Sequence, residues 1–195
     1  MKHSTNLVII SGPSGSGQDS VIQGLVDRGV PIVRPLSTVT RPMRPGEAEG
    51  KPYHFVSEQQ FDELIRQNRL SEWAVVYGKK AGITKQELER IKNIRDKIGV
   101  WKMDWQGVAT AKKQYPDIVA ILILPPNMET LVERSRERGQ QNEKDIQERF
   151  EASRAFLTHK ALYDYEVINE EGKLDQAVDK VAEILKQEGF LDNNA

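Results

Sequence analysis

The sequence predicts an α/β fold, a doubly wound parallel sheet with helices on both faces. Three observations carry this. Residues 7–10 form a short apolar run, followed by a glycine-rich turn and a helical pattern, the strand–turn–helix unit from which such sheets are built. Residues 118–124, Ile-Val-Ala-Ile-Leu-Ile-Leu, are continuously apolar and stop at Pro125-Pro126, as a central strand buried on both faces does. The 195 residues suit one α/β domain with inserted pieces and are enough to bury a full core.

Bulk properties narrow the function. A formal net charge of −1 gives no basic field for nucleic acid or an anionic membrane. The absence of cysteine excludes disulfides and thiolate metal sites. The three histidines, His3, His54 and His159, are scattered, which argues against a metal cluster. No long apolar span or cleavable signal opens the chain, so a soluble cytoplasmic protein is expected.

Residues 8–25 read VIISGPSGSGQDSVIQGL. The turn Gly12-Pro-Ser14-Gly15-Ser16-Gly17 has the Gly-x-x-x-x-Gly spacing of a phosphate-binding P-loop. Glycine lets the backbone curl until several N–H groups point at one anion. The following helix adds the positive end of its dipole. Where a P-loop carries Lys and then Ser or Thr, this chain has Gln18 and Asp19, with Ser20 next. Gln18 can donate a hydrogen bond to phosphate but brings no charge. The plainer reading of the stretch is a Gly-Ser turn between strand and helix.

Further elements follow in order. Residues 31–34 read as a short strand entering a loop. Arg41 and Arg44 are three apart and framed by Pro42 and Pro45. Arginine favours bidentate pairing with phosphate or carboxylate, although a solvated loop also explains the pair. Ser57 and Gln60 form a capping-box pattern that opens a helix over 61–67, and 71–77 reads as a strand. Thr84 and Glu87 form a second such pattern, opening a helix from Lys85 into the region of Arg95. Residues 99–107 end a strand, and a helix over 108–114 leads to the central apolar run. The helix over 127–138 carries Arg134 and Arg138 at i and i+4, hence on one face. Gly139-Gln-Gln-Asn142 breaks it, and a second helix over 143–158 includes Arg149. Glu/Arg pairing in water is the plainer account of these helices. Residues 163–169 read as the last strand and 174–185 as a closing amphipathic helix, before a frayed tail.

The string Arg41-Pro-x-Arg44-Pro-Gly-Glu…Gly50…Tyr53-x-Phe-Val-Ser57, with the glycine loop before it and Ser71-Glu72-Trp73-Ala74 after it, resembles the guanylate kinase family. The resemblance runs over residues 7–185. It implies a single domain over 1–195 with a five-stranded core at 5–36, 85–137 and 160–190, a monophosphate-binding insertion at 37–84 and a lid at 138–159. It implies transfer of the γ-phosphoryl group of ATP, with Mg²⁺, to GMP or dGMP. Ser37, Arg41, Arg44 and Tyr53 then hold the monophosphate, the arginines and the tyrosine on its phosphate. Glu72 accepts hydrogen bonds from guanine N1–H and its amino group, a role suited to an acceptor-only carboxylate, and Asp104 helps to read the base. Gly12, Ser14, Gly15, Ser16, Gly17, Gln18, Asp19 and Ser20 cradle ATP, with Asn169 near its adenine. Arg134, Arg138 and Arg149 match lid arginines that close on the transferring group.

The sequence departs from the family at two places. Gly78-Lys-Lys-Ala81-Gly-Ile83-Thr84 stands where the family has Gly-x-x-Tyr-Gly-Ser/Thr. Ala81 replaces a tyrosine that touches the phosphate, and Ile83 a hydroxyl that touches guanine. Thr84 partly stands in for that hydroxyl or only caps the next helix. Lys102 replaces the first acid of the family's Leu-Asp-x-Asp-x-Gln-Gly segment. The resemblance puts this strand beside the loop strand, so the expectation is that Lys102 supplies the ammonium that Gln18 lacks, with Asp19 as the acidic magnesium partner. Two unrelated losses in a decayed site is the alternative. Other functions also stay open. Ribose bisphosphate phosphokinases look similar and place Asp-Ser after the loop lysine, as Asp19-Ser20 do here. Guanylate-kinase-like scaffold modules bind phosphopeptides without a working P-loop. The expected partners are ATP and GMP, with no nucleic acid and no membrane, for a monomer or homodimer.

Overall fold

The computed structural model describes residues 3–76, 78–137 and 143–192. The chain opens with β1 (Leu7–Ser11), the glycine loop and α1 (Gln18–Asp27). After β2 (Ile32–Val33) it leaves the main body for β3 (Ser37–Val39), β4 (Ala48–Glu49), β5 (Pro52–Phe55), α2 (Glu58–Arg66), β6 (Leu70–Val76) and β7 (Lys79–Thr84). It returns through α3 (Lys85–Lys92), β8 (Ile98–Met103), α4 (Trp105–Gln114) and β9 (Val119–Leu124). Helices α5 (Glu129–Glu137) and α6 (Glu143–Thr158), β10 (Tyr165–Ile168) and α7 (Leu174–Gln187) complete it.

Two five-stranded sheets result. The main sheet has the order β10-β9-β1-β8-β2 and is parallel throughout. Its central strands β1 and β9 are buried along their whole length because both faces are covered. Val8, Ile10, Val100, Ile121 and Val167 pack under α1 and α7. Leu7, Ile9, Trp101 and Ala120 pack the other way, under α3 and α4, with Ile83 joining them from β7. Gly24 lets α1 approach α7 closely, since a Cβ there would come within 2.6 Å of Val178. The second sheet, order β4-β5-β3-β7-β6, is mixed: β3, β4 and β5 run parallel, and β7 runs antiparallel to β3 and β6.

Local signals explain the boundaries. Ser57 and Gln60 make both hydrogen bonds of the capping box at α2. The box expected at Thr84 is only half made. Thr84 accepts from the Glu87 N–H, while the Glu87 carboxylate turns to the Leu36 N–H and to Arg90. Helix α3 also stops at Lys92, short of the region of Arg95. Helix α4 begins three residues earlier than expected because Asp104 caps it, accepting from the Gly107 N–H at 2.9 Å. Among the described residues no helix is long and apolar enough to cross a membrane.

Candidate active site

Ligands of an open parallel sheet bind beyond the carboxyl ends of its strands. A cleft of about 1080 Å³ lies there, lined by the Gly12–Ser20 loop, Lys102, Asp104, Arg134 and Asn169 among others. The loop is tied down from behind. Asn169, at the end of β10, donates to the Ser16 carbonyl at 2.9 Å. Arg134 of α5 donates to the Gly15 carbonyl at 3.1 Å and the Asn169 carbonyl at 3.2 Å, and pairs with Glu171. Gly17 has φ of +92°, and a Cβ there would stand 2.1 Å from the Asn169 amide nitrogen. Such a turn frees its N–H groups for an anion at the mouth of α1.

Side chains within the loop are arranged differently from the expectation. The Gln18 amide donates back to the Gly12 and Pro13 carbonyls. The Ser16 hydroxyl is buried without a hydrogen-bond partner. Asp19 is held by Lys102, whose ammonium lies 2.8 and 3.0 Å from its two oxygens, and by Arg34 at 3.2 Å. The desolvation imposed at the helix start is outweighed by Lys102 and Arg34, which hold the Asp19 carboxyl below its ordinary value.

The inserted sheet offers a second surface. Directly opposed residues of paired strands share a face. By register, Ser37 stands opposite Tyr53, Val39 opposite Phe55 and Ala81, Ile83 opposite Glu72, and Ala81 also opposite Ala74. One face therefore carries Ser37, Tyr53 and Glu72 together with Ala81 and Ile83. Arg41 lies over the Tyr53 ring at 4.7 Å and makes a bidentate pair with Glu47 at 2.6 and 2.7 Å. Glu47 also accepts from the Arg44 backbone N–H, so one carboxylate holds the Arg41 guanidinium and the backbone at Arg44. Hydrogen bonds from Arg41 and Arg44 push its carboxyl down to about 2. Burial, reinforced by the charge of Asp104, pushes Glu72 up to about 7. A glycine-lined anion loop thus stands at the main sheet, and an arginine-and-carboxylate face at the inserted one.

The family model described as guanylate kinase matches residues 4–188. The chain belongs to the guanylate kinase family. It is 36% identical over 180 residues to a guanylate kinase of Caldanaerobacter subterraneus subsp. tengcongensis, covering 92% of this chain and 85% of that one. With a guanylate kinase of Rickettsia felis it shares 34% identity over 188 residues, 96% of each chain. The crystal structure of guanylate kinase from Anaplasma phagocytophilum superposes with a TM-score of 0.70 at 26% identity, covering 97% of this chain and 89% of that one. As a member of the family it is a nucleoside monophosphate kinase acting on small-molecule nucleotides. The ribose bisphosphate and phosphopeptide readings are not favoured by these relatives.

Several expected site residues also have structural roles or lie apart from the main cleft. Thr84 is not on the face of Glu72. One residue along from Ile83 it projects to the other side, where it caps α3 and lines a smaller cavity with Thr38 and His54. Asp104 is a helix cap as well as a cleft residue. Asn169 supports the loop backbone. Arg138 lies outside the described residues, and so does the side chain of Arg149. Ser37, Arg41, Arg44, Tyr53 and Glu72 lie outside the lining of the main cleft, on the inserted sheet and its loop.

Other residues gain a place that the sequence alone did not assign. Glu47, the last residue of the Arg41-Pro-x-Arg44-Pro-Gly-Glu string, accepts from the Arg41 guanidinium and the Arg44 N–H. Tyr163 faces the base of the loop, its hydroxyl 3.0 Å from Ser11, which donates in turn to the Met103 carbonyl at 2.7 Å. Trp105 stacks on His159 with ring centroids 3.8 Å apart, joining the start of α4 to the end of α6.

Proposed function

We propose that this protein transfers the γ-phosphoryl group of ATP to GMP or dGMP, giving ADP and GDP or dGDP. The observation that carries the reading is the pairing of an anchored glycine loop with a face that gathers Ser37, Tyr53, Glu72 and Arg41. Phosphoryl transfer needs little covalent help from a protein; it needs in-line positioning and stabilisation of charge on the equatorial oxygens. The Gly12–Ser20 loop holds the donor phosphates, with Asn169 and Arg134 fixing its backbone. Arg41, Arg44 and Tyr53 hold the acceptor phosphate, where Glu47 is the anion that the phosphate replaces or joins. Glu72 accepts from guanine N1–H and its amino group, with Asp104 adjoining. Arg134, Arg138 and Arg149 supply positive charge from α5 and α6 and the segment between them.

Magnesium fits the donor set. Asp19 and Ser20, in the first turn of α1, are oxygen ligands of the kind that ion takes, and both line the cleft. Bound with the triphosphate, the ion neutralises its charge. The protein works in the cytoplasm as a monomer or homodimer. Insertion and lid correspond to residues 37–84 and 138–159.

ADP formation from ATP and Mg²⁺ with GMP tests the function, with other monophosphates and ribose bisphosphate as competing acceptors. GMP-dependent turnover is the expected result. Turnover only with another acceptor, or none with any acceptor by a folded protein that binds GMP, overturns it.

A further inference from the structure

We propose that Lys102 is the phosphate-binding cation of the donor site, taking over from the uncharged Gln18, and that Asp19 is its counter-ion until the nucleotide arrives. This rests on the reading of the loop as an ATP site. The first observation is that Gln18 is already engaged. Its amide donates to the Gly12 and Pro13 carbonyls, so it braces the loop instead of reaching across it. The second is placement. Lys102 stands opposite Ile10 on the adjacent parallel strand, and the next pair, Met103 and Ser11, ends β1 where the loop begins. The ammonium therefore leaves the carboxyl end of the sheet beside the loop and lines the same cleft.

The third observation is how firmly each cation of the cleft is held. Arg134, the other described cation lining this cleft, is tied to two backbone carbonyls and Glu171. Lys102 is tied to a single exposed carboxylate, and such exposed pairs contribute little. A point charge on a flexible stem exchanges such a partner readily for a polyphosphate. Arg34 stays beside Asp19, so the carboxylate is not stranded when Lys102 leaves. The fourth is the Ser16 hydroxyl, buried in the loop with no partner. An orphaned donor there matches a loop built for an anion.

Calorimetric titration of ATP in EDTA tests this with the full-length protein, Lys102→Met and Gln18→Lys/Lys102→Met. Lys102→Met is expected to weaken ATP binding by about tenfold or more, the loss of one charge-assisted contact. Its GMP affinity and melting temperature stay near those of the parent. Restoring the loop lysine in the double variant brings ATP affinity back to within about threefold of the parent, a gap under about 0.7 kcal/mol. Asp19→Asn in EDTA binds ATP as tightly or more tightly, because phosphate no longer competes with a carboxylate for Lys102. Parental ATP affinity in Lys102→Met overturns the proposal. So does a folded double variant no better than Lys102→Met, or weaker ATP binding in Asp19→Asn. A parent protein that binds ATP but forms no ADP with GMP defeats the kinase reading while leaving this one standing.

Discussion

The glycine loop and the inserted sheet have diverged from the family pattern in different ways. At the loop the backbone frame is kept and the charges are rearranged. Gly12, Gly15 and Gly17 remain, Asn169 and Arg134 hold the loop from behind, and an ammonium, that of Lys102, stands on the neighbouring strand while position 18 is uncharged. At the inserted sheet the charges are kept and neutral polar groups are lost. Arg41, Arg44, Tyr53 and Glu72 remain, while Ala81 and Ile83 stand where a tyrosine and a hydroxyl are expected. The difference follows from what each region does. Anion binding by backbone N–H groups depends on shape, so a cation can arrive from another strand. Base reading depends on individual hydrogen-bonding groups at fixed places, so losing one alters selectivity directly.

The largest expected effect breaks the frame on the loop side. Gly17→Ala puts a methyl at φ +92° and 2.1 Å from the Asn169 amide, so loop and Asn169 must move apart. A shift of about 1 Å in a positioning element costs on the order of 100-fold. Gly17→Ala is expected to lower kcat/KM for ATP by at least about that factor, with KM for GMP little changed. Steady-state kinetics with each substrate varied in turn measures this. A rise in KM for GMP as large as that for ATP means that the loop and the inserted sheet are not separable.

The contrast also explains what was legible in the sequence. The run Val119–Leu124 and the strand before Gly12 encode their own burial, and the observed main sheet has the parallel order with β8 beside β1. Ser57 and Gln60 encode a complete cap within four residues. What the sequence did not announce was long-range or depended on face. Thr84 lies on the face away from Glu72 because Glu72 pairs with Ile83 across the sheet, a pairing between strands that the sequence does not announce. Asp104 caps α4 while still lining the cleft, a second role that an acid three residues before Gly107 can take. Arg134 bracing Gly15 joins positions 119 residues apart, beyond the reach of helix periodicity.

A smaller effect sharpens the inserted-sheet side. Ile83 is 2% exposed and packs with Leu88, Ile91 and Trp101, so its side chain has been recruited into the core beneath the main sheet. Ile83→Thr exchanges core packing for a hydroxyl opposite Glu72. Burying an incompletely paired hydroxyl there costs about 1–3 kcal/mol of stability. The same hydroxyl adds a contact to guanine and raises the kcat/KM ratio of GMP over AMP by roughly tenfold, about one hydrogen bond. Thermal melts and competing-acceptor assays read the two effects separately. A stability loss without a selectivity gain assigns Ile83 to the core alone.

The smallest expected effect is a pH dependence confined to the inserted-sheet side. The Glu72 carboxyl sits at about 7 in the folded protein against an ordinary 4.5, raised by burial and then by Asp104. Between those values the folded protein keeps a proton that the unfolded chain has released. This group's contribution to stability is therefore full below about pH 4.5 and is lost as pH rises through about 7. Guanine recognition runs the other way, because N1–H and the amino group need acceptors, and the carboxyl becomes acceptor-only when the proton leaves. About a tenth of Glu72 is ionised at pH 6 and about nine tenths at pH 8, so KM for GMP should fall by several-fold to roughly tenfold between them. Glu72→Gln removes the titration, raises KM at pH 8 and flattens the profile. The phosphate of GMP titrates equally against both proteins, so the difference between the two profiles is the quantity to read. KM for ATP should not share that difference, since the Gly12–Ser20 loop has no such carboxyl: its one acid, Asp19, is held below its ordinary value by Lys102 and Arg34. An unchanged slope in Glu72→Gln moves the titrating group away from the guanine-reading position and leaves the two carboxylates of the contrast, one raised and one lowered, without a functional counterpart.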